Sequence, residues 1–176
     1  MDDQQLWQHG LRSANRLLIN NIPLVRKQLL EELLVTYRWG KESLVAITLA
    51  VDSDTSCRDC AGQCCLNGKY RMNILDVLSH CAAGVTVIPD FSQKPLCPYG
   101  TVMGCTMEPE FRPADCVFFI CDILDNRLSD SARTELTSGE NAIRECLLTA
   151  SRLLSISMAT PLLLWAETQF TINPNS

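Results

Sequence analysis

Nine of the ten cysteines in this 176-residue chain fall between Cys57 and Cys121. The stretch opens with Cys57-Arg58-Asp59-Cys60-Ala61-Gly62-Gln63-Cys64-Cys65, a C-x2-C-x3-C-C pattern, and continues with single cysteines at 81, 97, 105, 116 and 121. Thiols this dense are metal ligands or disulfide partners far more often than core filler. The N-terminus, Met1-Asp2-Asp3-Gln4-Gln5, has neither the basic nor the apolar region of a secretory signal. The expected compartment is therefore a reducing cytoplasm, where clustered cysteines favour metal or redox chemistry over structural disulfides.

The remaining composition narrows the partners. Charged residues are 20% of the chain, hydrophobic ones 47%, and the net charge is -5. That is globular composition without a broad basic surface, so nucleic acid is not an expected partner. The most apolar run, Leu153 to Trp165, is too short to span a bilayer and contains Pro161. The length suits one domain, 1–176, with a hydrophobic core of its own.

Periodicity predicts a mainly α fold: helices from both chain ends, over 1–50 and 126–170, packed around an irregular, cysteine-rich, metal-organised insert at 52–124. Leu6, Trp7, Leu11, Ala14, Leu17 and Leu18 suit an amphipathic helix over 3–20, weakened by Gly10. Asn20-Asn21 reads as a stop and Pro23 as a restart. The second helix carries Leu24, Val25, Leu29, Leu33 and Tyr37 on one face, with a break expected at Trp39-Gly40. Residues 41–50 then read either as resumed helix or as a buried strand. Asn73 is placed to cap a short helix ended by Gly84, and Val85-Thr86-Val87-Ile88 is β-prone. Five prolines and two glycines within 89–115 exclude much regular structure there. Such a stretch needs another restraint, for which metal ligation is the natural candidate. Ser138 to Ala159 reads as the clearest helix, with Asp130 as a cap before it and a frayed tail after Ile172.

The thiols themselves divide by spacing. Cys57 and Cys60 form a C-x-x-C chelate, in which one turn presents two thiolates to one metal. Cys64 and Cys65 are chain neighbours and are poorly placed to enter one tetrahedral shell together, so they face two metals, or two irons of a cluster, or one of them is structural. Cys57, Cys60, Cys64, Cys65, Cys97, Cys105, Cys116 and Cys121 make eight thiols. Eight is two sets of four, or one four-cysteine cluster with a smaller second site. The gaps match neither the bacterial ferredoxin run nor a zinc ribbon.

As a set, Cys57-x2-Cys60-x3-Cys64-Cys65, Cys97-Pro98, Cys105, Arg112-Pro113-x2-Cys116 and Cys121 resembles the zinc- or iron-chelating CxxCxxCC family, over residues 57–121. The resemblance implies that these eight cysteines are the metal ligands. It also favours iron, as an iron–sulfur cluster, slightly over zinc. Arg58, Lys69, Arg71 and Arg112 lie near the thiols in sequence. Four thiolates on a divalent ion leave a negative centre that a cation offsets. Arg112, held extended by Pro113, is the expected one and the other three read as solvated. Cys81 and Cys146 read as core residues, His80 as a surface or capping residue that is also able to replace a thiolate, and His9 as exposed. Asp59 and Asp115 read as loop and cap.

Three functions fit: a cytoplasmic metal-binding protein with a structural, redox or metal-handling role, an iron–sulfur-dependent enzyme, or an adaptor whose metal folds a protein-docking loop.

Overall fold

The computed structural model describes residues 2–19, 22–60, 63–66, 68–101 and 103–172. The expectations placed on Asn20-Asn21 and on the tail beyond Ile172 lie outside them. The described chain is mainly helical. In order it forms α1 (Asp3–Ile19), α2 (Leu24–Leu49), α3 (Ser53–Asp59), α4 (Ile74–Ala83), α5 (Ala114–Phe118), α6 (Asp122–Asp125), α7 (Asp130–Leu154) and α8 (Leu162–Ile172). Two-residue strands β1 (Gly100–Thr101) and β2 (Gly104–Cys105) pair antiparallel between α4 and α5.

The predicted break at Trp39-Gly40 does not occur, because α2 runs through it unbroken. Residues 41–50 are therefore helix and not strand. A Cβ on Gly40 would lie only 3.1 Å from Ile143 Cγ1, so glycine there brings α7 close against α2. The close packing outweighs the helix-weakening tendency of a single glycine. The α2–α7 pair is the most extensive helix contact in the fold, followed by α1–α8.

α7 begins eight residues earlier than its apolar face announces. Ser129, not Asp130, is the cap, and its hydroxyl accepts the Ala132 N–H at 3.2 Å. The helix ends before Ser155, whose φ of 56° is left-handed, so it stops short of Pro161. α4 is capped as expected: Asn73 Oδ1 accepts the Asp76 N–H at 2.8 Å and Asp76 Oδ2 accepts the Asn73 N–H at 3.2 Å. The helix closes on left-handed Gly84. Its first turn is also stitched to the segment before α8. Ile74 N–H donates to the Thr160 carbonyl at 3.1 Å, Leu75 N–H to Met158 at 3.3 Å, and Leu162 N–H to Met72 at 2.8 Å. The β-prone run 85–88 forms no strand and is largely exposed.

The irregular segment is fastened by core packing. Tyr99, Met107, Ala114 and Val117 belong to the same buried cluster as Trp7, Tyr37, Leu75 and Ile143. A buried ion pair adds to this. Lys41 and Asp76 are both fully buried, with Nζ 2.8 Å from Oδ1. Lys41 Nζ also donates to the Arg112 carbonyl at 2.8 Å, and the Ala114 N–H reaches both Asp76 oxygens at 3.3 Å. Tyr37 donates its hydroxyl to Asp76 Oδ1 at 2.9 Å. Burial first, and the Asp76 charge second, hold that phenol protonated far above its ordinary range. This network joins α2, α4 and the Arg112–Ala114 backbone that leads into Cys116.

Candidate metal centre

All eight predicted cysteines line one cavity of about 570 Å³. They reach it from six short pieces of chain. Cys57 lies in α3 and Cys60 caps its C-terminus, where its thiol donates to the Cys57 carbonyl at 3.4 Å. Cys64 and Cys65 occupy a 3-10 turn, Gln63–Cys65. Cys97 precedes β1, Cys105 is in β2, Cys116 is in α5 and Cys121 is the residue before α6. Cys97 is buried, Cys105 is exposed, the other six are half-buried, and all are free thiols.

Desolvation governs the acidity of five of them. Burial is the first cause of the upward shifts of Cys57, Cys64, Cys97 and Cys116, with neighbouring thiols adding to it. Cys65 is pushed up to about 12 by the same two causes. These are protonated thiols in the absence of a cation.

The donor set is chemically suited to a soft metal, since thiols crowd the wall and histidine does not contribute to it. Among the described residues, however, no three Cys, His, Asp or Glu side chains already converge on one ion-sized point. The thiols are gathered round a common space and are not drawn into a finished coordination shell.

Arg112 lines the cavity, with its Nε–H donating to the Met107 carbonyl at 3.3 Å, and it counters the upward shift of Cys57. Arg71, read from the sequence as solvated, is also placed at the thiols. That side chain is on the cavity wall, donating to the Cys64 carbonyl at 3.4 Å and the Asp115 carbonyl at 3.2 Å. Its guanidinium lies 5.6 Å from the Phe119 ring centre and opposes the shifts of Cys97 and Cys116. The available clue was its position six residues after Cys65. Lys69 turns away to Asp3 at 3.0 Å, whereas Arg58 joins the wall.

The histidines depart from expectation. His80 is buried rather than exposed or capping, and its Nε2 lies 2.9 Å from the Phe111 carbonyl. Burial lowers its pKa to about 4, so the ring is neutral and donates that bond. It does not line the cysteine cavity. His9 is likewise buried. Cys81 and Cys146 are half-buried against the core and lie off the cavity wall, Asp59 is exposed at the last position of α3 rather than in a loop, and Asp115 lies in the first turn of α5 rather than capping it.

Gly68 has a steric role beside Cys97. It is buried, and a Cβ there would lie 2.7 Å from Cys97 Sγ and 2.8 Å from Cys97 Cβ. Gly68→Ala is expected to displace Cys97 and to destabilise the fold by about 1–3 kcal/mol, as overpacking does. Urea denaturation measures this, and an unchanged midpoint would show that Cys97 has room to move. Compared with known protein families, curated proteins and solved structures, the chain has no match.

Proposed function

We propose that this chain is a cytoplasmic metal-binding protein that holds an iron–sulfur cluster or zinc through clustered cysteine thiolates. One observation carries the reading: eight cysteines scattered over 65 residues of sequence all reach one cavity. Cys57, Cys60, Cys64, Cys65, Cys97, Cys105, Cys116 and Cys121 are the ligands, with Arg112 and Arg71 offsetting their charge. The resemblance to the CxxCxxCC family belongs to this reading, as does the metal that completes the order of residues 85–115. Iron is favoured over zinc by the total of eight thiols and by that resemblance. A bound cluster supplies one-electron transfer, and bound zinc supplies rigidity.

A second reading, an enzyme dependent on that cluster, is favoured by the size of the cavity. At about 570 Å³ it is within the range of small-molecule sites, and Phe119, Ile120 and Ile123 give it an apolar side apart from the thiols.

Elemental analysis of protein purified without oxygen tests the proposal. Iron with visible absorption is the expected result. Cys60→Ala should clearly lower the bound metal, whereas Cys146→Ala, off the cavity, should keep it and lose only modest stability. Zinc without iron would correct the metal and leave the ligands standing. Absence of both metals, or equal loss in the two variants, would overturn the function.

A further inference from the structure

We propose that the eight thiols form two separate four-cysteine centres, Cys57, Cys60, Cys64 and Cys121 in one and Cys65, Cys97, Cys105 and Cys116 in the other, divided by the Cys64–Cys65 peptide. This rests on the metal-binding reading above and adds the number of sites and their membership.

The first set is assembled by helices. Cys57 and Cys60 are one turn apart on α3. α3 packs against α6, whose preceding residue is Cys121. Arg127, just past α6, donates to the Val51 carbonyl at 3.3 Å and to Ser56 Oγ at 3.0 Å, which fixes that packing beside Cys57. Cys64 follows Cys60 through the Gln63 N–H, which donates to the Cys60 carbonyl at 3.2 Å.

The second set is assembled by the hairpin. Gly100 N–H donates to the Cys97 carbonyl at 3.1 Å, β1 pairs with β2, and Cys105 Sγ lies 3.8 Å from the Tyr99 carbonyl. Cys97 and Cys105 therefore share one small unit. Arg71 spans from the Cys64 carbonyl to the Asp115 carbonyl, linking the thiol pair to the start of α5 next to Cys116.

Cys64 and Cys65 separate because they sit on a 3-10 turn. With three residues per turn, successive side chains diverge by about 120° around the axis. In this division one belongs to each set.

Gly68, three residues past Cys65, lies against Cys97: a Cβ there would be 2.7 Å from Cys97 Sγ, so the chain leaving the thiol pair runs to the second set. α3 also touches β2, so the two centres are neighbours across one cavity.

Anaerobic titration of the metal-stripped full chain with Co²⁺, followed by its thiolate-to-metal absorption, tests the division. The wild type should take two equivalents. Cys57→Ser and Cys116→Ser should each keep one, and the combined variant should keep none. Cys60→Ser and Cys105→Ser repeat the comparison with one substitution in each set, and circular dichroism checks that the helices persist. A single equivalent in the wild type, or loss of both equivalents through one substitution in a folded variant, would overturn the division and leave metal binding intact. No cobalt in the wild type would remove both conclusions.

Discussion

Replacing Lys41 by alanine is expected to lower the unfolding free energy by about 3–5 kcal/mol, because it strands a buried carboxylate without its partner. Neither member of the Lys41–Asp76 pair has any exposure, so water cannot take over the role of the lost ammonium. The Arg112 carbonyl loses its donor at the same time. Urea denaturation gives the magnitude. Asp76→Asn in the Lys41→Ala background removes the stranded charge while keeping an oxygen for the Asn73 and Ala114 N–H groups, so part of the loss should return. A loss below about 1 kcal/mol for Lys41→Ala, or no recovery in the double variant, would mean that the pair is not a brace. Because the pair holds the backbone leading into Cys116, the same substitution should also loosen the cavity wall.

Trp7→Ala should cost about 3–5 kcal/mol, the usual range for emptying a large aromatic site. Trp7 is fully buried, with its ring 6.4 Å from Phe91 and 5.7 Å from Tyr99, centre to centre. It is where α1 meets the segment carrying Cys97. Trp7→Phe should cost far less, and the reason is specific. The indole Nε1 has no hydrogen-bond partner among the described residues, so deleting that N–H forfeits no bond. Equal losses for the two substitutions would contradict this account.

Much of the helical frame was legible from apolar spacing. α1, α4 and the core of α7 follow it, because each buries one face against a neighbour. The continuity of α2 was not legible, since it depends on Ile143 arriving from a hundred residues away to occupy the space beside Gly40. Nor was the lack of a strand at 85–88: β-prone residues form one only where a partner edge exists. Lys41 offered a clue that went unused. It falls on the stripe of Tyr37, Leu44, Val45 and Thr48, all buried, where a lone cation requires an anion opposite. For the cysteines, spacing identified the thiols that share a cavity. It left open how they divide, because that depends on α6 folding back on α3 and on a hairpin of two-residue strands.

The stitching of residues 72–75 to 158–162 bears on the order in which the chain is made. Synthesis runs from the N-terminus, and early segments wait for later ones. α4 carries Asp76, and the first backbone donors of that helix find their acceptors only at Met158 and Thr160. When Cys121 leaves the ribosome, all eight thiols exist, but the helix on which their wall rests still lacks those partners. Through the synthesis of about forty further residues the thiols are unsupported and open to oxidants. Nascent chains thus depend on the reducing strength of their surroundings more than finished ones do.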